Sequence, residues 1–213
     1  LGTGLIELFC EFDTGHDNSR RLAGLPKGCP DGDASRLSGD DLLPLLAPDM
    51  NAVFYGSRMA LSRMAQLLGK PEEAAQWSRK AREVKDALLR ICYDEEDAFF
   101  YDVDRYGKKR KFLSILISNL FQEHLLDQDM ADLIYERHMK NPREFWTPYP
   151  FPSMAISDPA SVQDMEGNSW GFYSQGLTAL RTLRWMDYYG KGEDLEYLMS
   201  RWVSAMVLSE DLQ

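Results

Sequence analysis

The sequence predicts an all-α chain assembled from helical hairpins, and two observations carry that prediction. The first is an apolar stripe at helical spacing: Trp77, Ala81, Val84, Leu88 and Ile91 step by four, three, four and three, backed by Arg79, Lys80, Arg82, Glu83 and Asp86. The second is a repeated design. "LGKPEEA" follows one apolar run and "YGKGEDLEYL" closes another, so two helix–Gly-Lys–helix units share one chain.

In chain order, a proline-free helix is expected from Asp49 to Leu68, stopped at Gly69, a residue suited to the left-handed cap that ends helices. Pro71 falls at the first position of the next helix, with Glu72 and Glu73 at the positive end of its dipole. "DEEDAFFYDVD", Asp94 to Asp104, reads as a short extended hairpin around a solvated acidic turn, and its oxygen spacing matches no calcium loop. Shorter helices are expected at Phe112 to His124 and Asp129 to Met139. The second hairpin pairs Trp170 to Tyr189 with a helix striped by Leu195, Leu198, Trp202 and Ala205. Before it, Phe145 to Trp170 carries four prolines and no helical period. A connection that long is functional or disordered, and Trp146, Tyr149 and Phe151 argue against disorder.

Composition narrows the function classes. With 213 residues and 44% hydrophobic content, the chain can bury one sizeable core. A net charge of −10 argues against nucleic acid and anionic membrane surfaces as partners. No apolar run approaches a membrane span and no signal peptide opens the chain. The first residue is Leu1, so the native N-terminus is expected to lie elsewhere; a soluble chain is expected, cytoplasmic rather than exported. Cys10, Cys29 and Cys92 show no CxxC spacing and read as free thiols. GxSxG, P-loop, HExxH and GxGxxG are all missing, which weakens serine hydrolase, NTPase, zincin and dinucleotide readings.

Carboxylates, amides and aromatics remain, concentrated in "EFDTGHDNSRR" (residues 11–21), "FWTPYP" and "GNSW". That inventory suits carbohydrate, whose CH faces pack on Trp and Tyr and whose hydroxyls need Asp, Asn, Gln and Arg. Cleaving a glycosidic bond requires a carboxyl pair, one acid and one base or nucleophile. Asp17 is the candidate general acid; the alternative is a cap, or an ion-pair partner for Arg20 or Arg21. His124 and His138 read as surface or half-buried helix residues.

"DTGHDNSRR" resembles the segment around the catalytic acid of the (α/α)6-barrel glycosidases, the trehalase, glycoside hydrolase family 63 and mannosylglycerate-hydrolase-like group. The group's pattern falls on Thr14, Gly15, Asp17, Asn18 and Ser19. Asp49, Asn51 and Ala52 match its "DLNA" helix. "DEEDAFFYD" resembles its "DEEDGFFYD" hairpin, with Ala98 where glycine is usual, and the proline-rich loop and "NSW" are similar to its later motifs. The resemblance implies a six-hairpin (α/α)6 toroid, present as a partial barrel: residues 1–213 form part of one catalytic domain, with N-terminal helices and the extreme C-terminus missing. It makes Asp17 the acid of an inverting hydrolase acting on a small α-linked sugar. His16, Asn18, Asn51, Trp146, Tyr149, Asn168 and Trp170 become the substrate-binding set. No metal or organic cofactor is implied, and the implied partners are a small carbohydrate and the missing segments of the same domain. The group's general base falls beyond or near Gln213, with Glu210 the one late candidate. The rival readings are a sugar-binding or regulatory α-toroid without a complete catalytic pair, and a sugar isomerase or epimerase on a related fold.

Overall fold

The computed structural model describes residues 1–16, 18–37, 42–161 and 170–208. Its helices are α1 (Pro48–Leu67), α2 (Pro71–Ile91), α3 (Ser118–Gln122), α4 (Gln128–Ile134), α5 (Gly176–Tyr188) and α6 (Gly192–Leu208). Helix α1 packs on α2, α5 packs on α6, and α3 lies between α1 and α5. The two Gly-Lys junctions have the same geometry. Gly69 and Gly190 are both left-handed, at φ 70° and 69°. The next amide then reaches back five residues, Lys70 N to Ala65 O at 2.9 Å and Lys191 N to Met186 O at 2.8 Å. That is a Schellman-type stop, and glycine permits it because an L side chain is strained there.

On α2, Ala74, Ala81, Val84, Ala87 and Leu88 are buried, whereas Trp77 and Ile91 at the margins of the stripe are half-buried. This face joins a core that includes Phe99, Phe121, Tyr135, Phe145, Phe151 and Trp185. A smaller cluster, Leu8, Leu22, Leu25, Leu43, Leu45 and Ala47, sits under the N-terminal loops. Among the described residues no helix is long and apolar enough to cross a membrane.

Several elements differ from the sequence expectation. Only Ser118–Gln122 of the span Phe112–His124 is α-helix, preceded by a 3-10 turn at Ile115–Ile117. Residues ahead of it are held extended, because Leu113 N donates to Asp158 Oδ2 at 2.7 Å and Ile115 N to Ser153 O at 3.0 Å. Helix α4 starts at Gln128 behind an Asp127 cap and widens into a π turn over Tyr135–Met139. Helix α5 begins at Gly176, six residues after Trp170, because Gly171 and Tyr173 spend their carbonyls on Met154 and Ser153. Beyond the expected hairpin, β3 (Tyr93–Asp94) with β4 (Phe99–Phe100), there is a second ribbon of two-residue strands. Its order is β1 (Glu7–Leu8), β2 (Leu45–Leu46), β5 (Asp102–Val103), β6 (Lys109–Arg110), all antiparallel. The solvated acidic turn is also corrected: only Glu95 and Glu96 are exposed, and Asp102 and Asp104 are 4% exposed. His138, expected at or near the surface, is buried, with Nδ1 2.7 Å from Glu144 Oε2 and Nε2 2.7 Å from Asp97 O.

Asn51 fixes the N-terminal segment on α1. Its Oδ1 accepts from Ile6 N at 2.7 Å, and Nδ2 donates to Ile6 O at 3.0 Å and Ala47 O at 2.9 Å. Both amide protons are used and the residue is fully buried. The sequence reading placed Asn51 on a sugar; the structure places it in this clamp. Asn51→Ala should therefore cost about 2–4 kcal/mol, at roughly 1 kcal/mol for each of the three bonds lost, in urea unfolding. Wild-type stability in that variant would contradict the assignment.

Candidate active site

The loop of residues 13–22 is folded onto the first turn of α1 by charge. Pro48 starts that helix and Asp49 stands in its positive first turn, where a carboxylate is favoured. Arg21, on a 3-10 turn at Arg20–Leu22, turns inward while Arg20 stays exposed. Arg21 Nη2 lies 3.0 Å from both Oδ1 and Oδ2 of Asp49, and Nη1 lies 3.4 Å from Asp102 Oδ1. All three side chains are at least 96% buried. Asp13, on the same loop, stands outside this cluster and accepts from Phe9 N and Cys10 N.

One guanidinium between two carboxylates divides them. Burial alone would raise both, but the direct hydrogen bonds of Arg21 and the nearby His16 hold Asp49 below the usual carboxylate range. Asp102 has only the longer contact, so burial pushes it up to about 6, with the charge of Asp49 adding to the rise. Arg21 is pushed up by the two acids despite its burial. His16 is buried, and burial lowers its pKa, with the charges of Arg21 and Arg181 acting the same way against Asp49. The ring is therefore neutral at pH 7, and it meets Trp170 edge-on at 4.4 Å.

Thr14, Gly15, His16 and Asp49 form one wall of a cavity of about 630 Å³, a size that takes a small ligand. Met50, Val53 and Phe54 of α1 give an apolar side; Asn119, Gln122, Glu123 and Arg181 give a polar one. Buried polar atoms that make no hydrogen bond among the described residues include His16 Nδ1 on this wall and, in the loop, the ion cluster and the ring packed on His16, Ser19 Oγ, Arg21 Nε, Asp102 Oδ1 and Trp170 Nε1. Such groups are uncommon in a folded core and mark a place built for something other than packing.

The structure brings together only part of the expected set. His16 and Trp170 are in contact. Asn18, left-handed at φ 62°, accepts from Lys27 Nζ at 2.9 Å on the outer side of the loop. Trp146 is placed elsewhere: it stacks on Tyr197 of α6 at 5.5 Å and packs against the core. Tyr149 lines a separate apolar groove with Pro152, Tyr173 and Trp202. Neither borders the cavity at His16, because the proline-rich loop turns back on itself, with Phe151 N bonded to Phe145 O at 3.0 Å. Asp17, Asn168 and Glu210 lie outside the described residues. The sequence reading missed Arg21 and Asp49 as a pair, and it took Asp102 for a surface acid. An aspartate inside the apolar run "AFFYDV" was the available signal, since carboxylates are rarely buried unpaired.

Comparison with known proteins places this geometry. The family model for the mannosylglycerate hydrolase MGH1-like glycoside hydrolase domain matches residues 2–205. A GH63 mannosylglycerate hydrolase from Thermus thermophilus, solved with glucose, superposes with a TM-score of 0.74 at 16% identity over 96% of this chain and 54% of that one. Neutral trehalase from Saccharomyces cerevisiae gives a TM-score of 0.68 at 15% identity, covering 91% of this chain and 35% of that one. An uncharacterized protein of Borreliella burgdorferi is 22% identical over 146 residues, 67% of this chain and 30% of its own. This chain therefore spans about half, or less, of the proteins it matches. The fold is that of the (α/α)6 toroid glycosidases, present as a partial ring whose described residues include six helices.

The split carboxylates give a pH signature. In the folded chain Asp102 sits at about 6, above an unfolded reference of about 3.9. Its contribution is thus fully present below pH 4 and lost as pH rises through 6. Asp102→Asn imitates the protonated acid and removes that loss. From pH 4 to pH 7.5 the variant should gain on wild type by up to about 3 kcal/mol, at roughly 1.4 kcal/mol per pKa step. A stability difference that does not change with pH in urea titrations would contradict the arrangement.

Proposed function

Because the chain belongs to the mannosylglycerate hydrolase MGH1-like glycoside hydrolase family, we propose that it carries the acid-bearing half of a glycosidase site that cleaves a small α-linked sugar with inversion. The observation that carries this reading is the Arg21–Asp49–Asp102 cluster, which seats the loop ending in His16 on the wall of the cavity, with Trp170 against that histidine. Asp17 follows His16 directly and takes the role of general acid, giving its proton to the leaving oxygen. Inversion needs a second carboxylate about 6.5–9.5 Å from the acid, with the attacking water between them. Glu210 is the late candidate for that base within these residues.

Mannosylglycerate is the first substrate to assay, being the one named for the Thermus relative. On the full-length protein, Asp17→Asn should lower turnover by about 10²- to 10⁴-fold, the usual contribution of general acid catalysis. The loss should shrink on a glycosyl fluoride, whose leaving group needs no proton. Proton NMR of the first turnovers should show the opposite anomer to the substrate. Near-wild-type turnover of Asp17→Asn on a natural glycoside would refute the acid, and a retained anomer would refute inversion.

A further inference from the structure

We propose that the polar face of α3, formed by Asn119, Gln122 and the following Glu123, is with Arg181 of α5 the site that reads the hydroxyl pattern of the sugar, its ligand being a pair of neighbouring ring hydroxyls. The inference rests on the glycosidase reading and adds the residues that would set its specificity.

Positions 119, 122 and 123 fall three and four apart, so they share one face of the helix, while Leu120 and Phe121 are fully buried in the core behind it. All three polar residues and Arg181 line the cavity that begins at His16 and Asp49. Asn119 is only 6% exposed, yet its side-chain amide makes no hydrogen bond among the described residues. Gln122 Oε1 is buried and also without a partner there; its Nε2 reaches Glu123 Oε1 only at 3.4 Å. Arg181 is half-buried and forms no ion pair among the described residues. A buried amide oxygen without a partner, as at Gln122, is costly in a core and useful where a ligand hydroxyl supplies the missing bond.

Glu123 is positioned by an absence on α1. A Cβ on Gly56 would stand 1.7 Å from Glu123 Oε2, so glycine is what lets the carboxyl lie against that helix. The result is an acceptor carboxylate, amide donors and acceptors, and a guanidinium lining the same cavity as the apolar Val53 and Phe54. A pyranose has the same division, with hydroxyls around its rim and CH groups on its face. A carboxylate or amide can accept from, or bridge, two adjacent hydroxyls, and so distinguish their axial and equatorial arrangements.

The test uses the full-length protein, with calorimetric binding of D-glucose, D-mannose, D-galactose and their monodeoxy derivatives. Wild type should lose about tenfold or more in affinity when one particular hydroxyl is deleted. In Asn119→Leu and Glu123→Gln that penalty should collapse to within about threefold, while deletions elsewhere on the ring keep their wild-type effect. Gly56→Ala should reproduce Glu123→Gln by displacing the carboxyl. Asn119→Leu should also leave the melting temperature unlowered, since its amide bonds to no other described residue; a structural role would lower it. If sugars bind and glycosides are cleaved, but the variants keep the deoxy pattern or weaken every sugar equally, α3 is not the reader and the glycosidase reading stands. If the wild-type protein neither binds sugars nor cleaves glycosides, both fall.

Discussion

The arrangement depends on one buried guanidinium. Arg21 sits between Asp49 on α1 and Asp102 on the ribbon strand β5, and so joins three segments distant in sequence. Local propensity does not hold the described residues of the loop 13–22, whose regular structure is confined to short 3-10 turns. An ion pair taken out of water is a weak source of net stability, but removing one member leaves an uncompensated charge at a cost of about 3–5 kcal/mol. The cluster therefore acts as a constraint: the loop docks with Arg21 inside, or the domain does not close around it.

The same constraint shapes the chemistry. Satisfying Asp49 fully and Asp102 poorly gives two acids of opposite character, one fixed as an anion and one poised near pH 6. Residues that face the cavity are left with unspent polar capacity, on the loop side at His16 and on the α3 side at Gln122. Packing handles the rest, through aromatic contacts such as Phe121 with Trp185 at 4.9 Å. Stability and recognition are thus assigned to different faces of the same short helix.

Much of the fold was legible because it is written locally. Gly69, Pro71 and Gly190 punctuate the hairpins in the sequence, and their backbone angles and reach-back bonds follow directly. The elements that were misread are those decided by distant partners. Residues 112–114 are drawn out of a helix by Asp158 and Ser153, and residues 170–175 by Met154 and Ser153. Strands of two residues leave no periodicity to find. At the site, the resemblance drew notice to the loop that carries His16 and to Asp49, both of which border the cavity. The burial of Asp102 needs a partner 81 positions away, Arg21, which no window of sequence contains. Asn51 was assigned to the sugar by the resemblance, yet its side chain is bonded to the backbone at Ile6 and Ala47.

The central claim is that Arg21 holds the loop around His16 on the cavity wall, and amide hydrogen exchange in an Arg21→Lys variant tests it most directly. Lysine keeps the charge, but a single ammonium cannot reach both carboxylates as two guanidinium nitrogens do. The account predicts that the amides of Leu22, Ala23 and Leu25, bonded within the loop, lose protection by about tenfold or more, while those in the middle of α2 keep theirs. Unchanged protection in the loop, or an equal loss throughout the molecule, would contradict it.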